Sequence, residues 1–114
     1  MAEGERLICA SAELIDGGRG ARFTIFLHQR EEPAFAIRYR GTVHAYLNRC
    51  GHMPIELDWS PGEFFDSEQR RLICPTHGAL YDPASGRCVM GRCAGRGLIK
   101  VSVVEREGNV YVVE

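Results

Sequence analysis

Two short clusters of cysteine and histidine stand out in this sequence: Cys50-Gly51-His52 and Cys74-Pro75-Thr76-His77-Gly78. Each offers one sulfur and one imidazole donor. The first reads C-x-H and the second C-x-x-H, spacings at which both side chains of a pair can reach one metal centre. Gly51, Pro75 and Gly78 are turn formers, so the donors are expected on loops and not on a helix. Two loops would then close on a metal centre from opposite sides. A zinc ion accepts the same donors. Zinc fingers, however, pair two Cys in one half and two His in the other, with the His on a helix. Here the halves are mixed, and no helical pattern follows. Unrelated surface Cys and His are the remaining reading.

Taken together, the two halves resemble the ligand loops of the Rieske iron–sulfur proteins, C-x-H and C-P-x-H-G. The run Gly78-Ala79-Leu80-Tyr81-Asp82, followed by Ser85-Gly86-Arg87, extends the likeness, which covers nearly the whole chain. The interval from His52 to Cys74 is a few residues longer than the family pattern. The resemblance implies one [2Fe–2S] cluster per chain, with Cys50 and Cys74 on one iron and His52 and His77 on the other. It also implies that the histidine edge faces a partner and that Tyr81 donates to the sulfur of Cys50. High-potential members of the family bridge their two loops with further Cys. The matching positions here are Ile55 and Thr76, which cannot form that bridge. Those members also carry a Ser two residues past the second His, donating to a bridging sulfide; here the position is Ala79. A donor to cluster sulfur favours the reduced state, so its loss implies a potential in the lower Rieske range, roughly −150 to 0 mV.

Composition bounds the rest. A chain of 114 residues with 45% hydrophobic content makes one domain with a modest core. The expected domain spans 1–114, with a cluster-binding subdomain at about 48–82. A net charge of −1 argues against non-specific nucleic-acid binding. Lys100 is the only lysine, so arginine carries nearly all the positive charge. The start, Met1-Ala2-Glu3-Gly4-Glu5-Arg6, lacks the basic and apolar regions of a signal peptide. No apolar run approaches the ~20 residues that span a bilayer. Five Cys is an odd count, which a secreted disulfide framework would not favour. Cys9 reads as a small buried hydrophobe. Cys88 and Cys93, five apart across a Gly-rich turn, are expected as free thiols, with a disulfide the alternative if their Cα atoms come within reach. Free thiols point to a reducing cytoplasm.

The elements that must position the donors read as β-strands. Residues 5–10 and 22–28 are rich in β-formers. Ser11–Asp16 suggests one helical turn with Ser11 as its cap. Pro33 is expected to open a half-buried strand over 34–40, with Ala34, Ala36, Arg38 and Arg40 on one face and Phe35, Ile37 and Tyr39 on the other. Gly41-Thr42 turns the chain into 43–47, which delivers the first cluster of donors. His28 and His44 read as surface strand residues. Residues 63–66 and 70–73 look like hairpin arms, with Trp59 and the Phe64-Phe65 pair packing under the cluster loops. Residues 82–86 form a turn, and 98–105 with 109–113 a C-terminal hairpin. The fold class is all-β: a small sandwich of antiparallel sheets with the two ligand loops inserted as a subdomain. The Rieske resemblance implies the same architecture.

That resemblance further implies a soluble Rieske-type ferredoxin, carrying single electrons from a reductase to a terminal oxygenase or a similar enzyme. Other readings are a non-catalytic small subunit, similar to that of NADH-dependent nitrite reductase, and a cluster-based redox sensor or structural module. An independent enzyme fits less well: no 2-His-1-carboxylate set and no G-x-S-x-G elbow is present, and no catalytic residue is assigned.

Overall fold

The computed structural model describes residues 5–27, 29–49, 57, 62–66, 68–74, 78–91 and 97–113. Its strands are β1 (Glu5–Ala10), β2 (Ala21–Leu27), β3 (Arg30–Tyr39), β4 (Thr42–Leu47), β5 (Leu72–Cys74), β6 (Ala79–Tyr81), β7 (Cys88–Met90), β8 (Lys100–Val101), β9 (Val103–Arg106) and β10 (Asn109–Val113). They form three sheets, ordered β1-β10-β9, β2-β3-β4-β8 and β5-β6-β7, in which every strand pairing is antiparallel. The expected all-β class is what is found.

The alternation in β3 decides how these sheets stack. Phe35 and Ile37 enter one core together with Tyr46, Leu57, Phe64, Leu72, Cys74, Ala79 and Tyr81. Ala34 and Ala36 enter the other, with Cys9, Leu14, Ala45, Leu47, Val110 and Val112. The middle sheet therefore lies between the β1-β10-β9 sheet and the β5-β6-β7 sheet. This corrects the expectation of a half-buried strand: β3 is covered on both faces from Ala34 to Ile37. Period-two alternation still governs it, but it sorts large side chains from small ones instead of apolar from polar. On the large face, Phe35 stacks on Phe64 with ring centroids 4.0 Å apart. Each buried aromatic of this kind stabilises by about 1.5–3 kcal/mol.

Pro33 does not open β3. The strand begins at Arg30, and Pro33 pairs with Thr24 within the ladder to β2. Proline is tolerated there for a specific reason. The Pro33 carbonyl accepts from Asn48 N (2.8 Å), on the β4 side. A strand residue points its nitrogen and carbonyl the same way, so the missing N–H also falls on that side, past the last β3–β4 pair at Leu47, and costs no bond to β2.

The turns follow similar logic. Arg40 and Gly41 both have positive φ (51° and 82°), the two-residue hairpin geometry that matches strand twist, so the turn sits one residue earlier than expected. Asp16 satisfies both turn amides, at 2.6 and 2.8 Å. Glu107 and Gly108 repeat the geometry at the C-terminal hairpin, φ 51° and 80°. The expected strand over 98–105 is in fact two. Lys100–Val101 pairs with β4, then Val103–Arg106 crosses to pair with β10. Ser11 starts a one-turn 3-10 helix (Ser11–Glu13) but does not cap it. Ala10 is the N-cap, and its N–H donates to the Glu13 carboxylate (2.9 Å).

One guanidinium ties these pieces together. Arg38, only 16% exposed, donates to Leu14 O (2.7 Å), Ser11 O (3.2 Å), Gly41 O (3.1 Å) and both Glu105 oxygens. The Arg38 hydrogen bond holds the Glu105 carboxyl below its ordinary value of 4.5. A depressed carboxylate stabilises above its unfolded pKa, and the contribution is lost as the pH falls through the folded one. Arg38→Lys keeps the charge but not the fork. It should cost about 2 kcal/mol in urea denaturation at pH 7. Below the carboxylate range the gap between the two proteins should narrow, because wild type then loses the Glu105 contribution.

Candidate metal centre

The β5–β6 hairpin presents the second cluster of donors. Cys74 ends β5 and pairs across the ladder with Ala79, the first residue of β6. Between them lies 75–78, closed by a hydrogen bond from Gly78 N to Cys74 O (2.8 Å). Gly78 has φ +68°, and a Cβ there would meet no neighbour. Backbone conformation, not crowding, is therefore what glycine serves at this position. Cys74 is a reduced thiol, fully buried in the core beneath β3. Ala79 is equally buried, and β7 closes over it: a Cβ at Gly91 would stand 2.8 Å from the Ala79 Cα.

The first cluster follows β4. Asn48, buried at 2% exposure, accepts the Leu57 N–H on its side-chain oxygen (2.8 Å). Arg49 reaches Glu32 at 2.8 Å, and Glu32 also takes Arg30 at 3.1 Å. Of the four expected ligands only Cys74 is among the described residues; Cys50, His52 and His77 lie outside them, as do His28, Trp59 and Cys93. Among the described residues, no three Cys, His, Asp or Glu side chains converge as a metal site.

Around this centre the packing follows the expected plan. The segment from Phe64 to Ile73 is the expected hairpin, bonded at Ile73 N to Phe64 O (3.0 Å) and Asp66 N to Arg71 O (2.8 Å). Both phenylalanines are buried in the core that holds Cys74. Tyr46 spans that core to donate to Pro83 O (2.6 Å), pinning the turn after β6, and burial pushes its hydroxyl pKa up. That turn is the expected one over 82–86, with Gly86 N bonded to Asp82 O (2.7 Å) and Asp82 accepting from Ser85 Oγ (2.8 Å). Tyr81 is fully buried, paired with Leu72 on one side and Cys88 on the other. His44 is half-buried on β4, in a cleft with Tyr39, Arg40, Arg71 and Asp82. Burial, then Lys100, lowers its pKa, so the imidazole is neutral at pH 7. Cys9 is the buried thiol expected, its pKa raised mainly by desolvation.

One expectation fails here. Cys88 is not a free thiol but disulfide-bonded, to a partner outside the described residues. Cys88 opens β7 with its side chain half exposed, within reach of a second thiol. Of the three thiols expected to be free, Cys9 alone is found outside a disulfide among the described residues.

Sequence reasoning also passed over Asn48 and Glu32. Their only signal was two polar residues flanking the strand pair at 33–47, a pattern too common to single them out.

The one described donor fits an iron–sulfur centre: Cys74 is buried, outside any disulfide, on a hairpin closed by its own backbone. Strands and sandwich together describe a small antiparallel β-protein. The model of the Rieske [2Fe-2S] domain family matches residues 5–113, and the chain belongs to that family. Its group is a [2Fe–2S] cluster. The ferredoxin of carbazole 1,9a-dioxygenase from Nocardioides aromaticivorans IC177 is similar in fold, with TM-score 0.72 and 19% identity over 97% of this chain and 98% of that one. A ferredoxin from Sphingomonas yanoikuyae B1 gives 0.71 and 19%, over 96% and 98%. The terminal oxygenase of the Nocardioides carbazole system gives 0.71 and 21%, over 96% of this chain but 29% of that one. No curated protein matches the sequence. Among the described residues, no helix is long and apolar enough to cross a membrane.

The disulfide is directly testable. Alkylation and mass spectrometry without reductant should leave Cys88 unlabelled. Cys88→Ser should keep the visible spectrum of the bound cluster while lowering stability by about 2 kcal/mol, the low end for a native disulfide. A bleached variant would mean that Cys88 takes part in holding the iron.

Proposed function

We propose that this protein is a Rieske-type ferredoxin, a diffusible one-electron carrier working in the cytoplasm between a reductase and a terminal oxygenase or a similar redox enzyme. The observation that carries the reading is the buried, reduced Cys74 on a hairpin closed by Gly78, within a domain of the Rieske [2Fe-2S] family. The likeness to ferredoxins over 97% of this chain and 98% of theirs supports it. So does the existence of a solved complex of oxygenase with ferredoxin in the carbazole system, whose ferredoxin shares this fold. The cytoplasmic setting rests on Cys9, a buried thiol outside any disulfide; the Cys88 disulfide weighs against it.

Residues 1–114 then act as one domain, with the cluster-binding part at about 48–82. Cys50 and Cys74 hold one iron, and His52 and His77 the other. When bound, the cluster accepts and returns a single electron. The chain's own part is to exclude water, to hold four donors fixed and to set the potential. Cys74 lies in a core lined by Phe35, Phe64, Tyr46 and Tyr81, which keeps the sulfur side dry. Imidazole ligands are neutral, so the centre carries less negative charge than a four-Cys cluster and is reduced more easily. Ala79 supplies no side-chain hydrogen-bond donor beside Cys74, which takes back part of that rise in potential.

The purified protein should contain about two irons and two labile sulfides per chain, and no stoichiometric zinc. Replacing Cys50, His52, Cys74 or His77 should remove or alter the cluster. The voltammetric midpoint should fall between roughly −150 and 0 mV, with Ala79→Ser moving it upward and Tyr81→Phe downward. Such a value suits electrons that began on NADH. Zinc without acid-labile sulfide would end the proposal, and a midpoint near about +250 mV would call for a different partner.

A further inference from the structure

The two ligand segments are closed by different means. The second is short, and its own backbone does the work, through Gly78 N and Cys74 O at 2.8 Å. The first, 49–56, is longer and carries both Cys50 and His52. Its two flanking residues meet through one side chain: the Asn48 Oδ1 accepts the Leu57 N–H at 2.8 Å.

We infer that Asn48 is a positioning residue for the cluster, clamping the two ends of the first ligand segment to each other and to β3. The inference rests on the assignment of Cys50 and His52 as ligands. Four observations carry it. Asn48 is 2% exposed, a burial that is costly for an amide unless its polar atoms are bonded. Its backbone N–H donates to Pro33 O (2.8 Å), which fixes the entry of the segment on β3. Leu57, at the exit, is fully buried in the core that holds Cys74. Arg49, between Asn48 and Cys50, is tied to the buried Glu32 at 2.8 Å. An apolar side chain at position 48 would leave the Leu57 amide without its acceptor. The amide matters because it shortens the free length of chain on which two donors must hold their positions. Lost clamping would thus act on Cys50 and His52 through the backbone, without either being touched.

The experiment uses the cluster-loaded full chain and follows iron release to a chelator, bathophenanthroline, under native conditions. The reduced protein's electron paramagnetic resonance spectrum and the global unfolding midpoint are measured alongside. Asn48→Ala should release iron about tenfold faster, the effect of one lost buried hydrogen bond, and should broaden or shift the g-values. Asn48→Asp, which retains an oxygen at the same place, should restore both toward wild type. Replacing Leu57 by its α-hydroxy acid removes only the N–H; it should reproduce the alanine effect even where the alanine variant folds poorly. Wild-type release and an unchanged spectrum in the ester protein would overturn the inference. Equal loss in Asn48→Asp and Asn48→Ala, matching the loss in global midpoint, would do so as well, by reducing Asn48 to a stability residue. If the wild-type protein itself carries no iron and sulfide, the ligand assignment has failed instead, and the two failures are told apart at that first step.

Discussion

A strand covered on both faces has no solvent side, and β3 imposes that condition on everything around it. From Ala34 to Ile37 it sends small side chains one way and large ones the other. Two alanines let the β1-β10-β9 sheet approach closely. Phe35 and Ile37 need a deeper layer, and the hairpin 64–73 with the β5-β6-β7 sheet provides it. A single shift of register would exchange the two faces and leave neither core filled. The placement of Cys74 is a consequence: it lies in the core built on Phe35 because β5 packs on the large face.

That layering gives each segment its task. The β1-β10-β9 sheet and the Arg38 clamp fasten the far side, where Glu105, Asp16 and the carbonyls of Ser11, Leu14 and Gly41 all converge on one hairpin. The near side is made of pieces too short to stand alone. Strands β5, β6 and β7 have three residues each. A sheet of that size is marginal without support. It is held by burial against β3 and β4 and by the Tyr46 hydroxyl reaching Pro83. A sheet that depends on the main sandwich in this way is ordered only when the sandwich is.

These differences explain what could be read in the sequence. The long strands β2, β3, β4 and β10 were legible because each carries at least five residues of alternation or β-branched content. Strands β6 and β7 were not read as strands, since three residues carry no period. The split at Ser102 was hidden because both halves look alike, and only the choice of partner sheet separates them. The two-sided burial of β3 was hidden by its alanines, which fit either a surface or a tightly packed face. The motif residues were conspicuous as chemistry, whereas Asn48 and Glu32 became visible only with distances. The Cys88 disulfide turned on reach in space, which spacing alone left open.

The surroundings of Ala79 show how packing and redox chemistry are joined at one residue. It is 1% exposed, lies opposite Cys74 in the ladder, and is closed from the β7 side by Gly91, whose missing side chain leaves room for the Ala79 backbone. A hydroxyl at this position would be buried, and a buried hydroxyl costs about 1–3 kcal/mol unless it finds an acceptor. The described neighbours of β6 are the apolar β5 and β7, so such a hydroxyl would depend on a bound cluster for its acceptor. A donor here therefore makes folding depend more strongly on the cluster while raising the potential. Alanine at this site avoids that cost: the β5–β6 hairpin packs with no buried hydroxyl to satisfy.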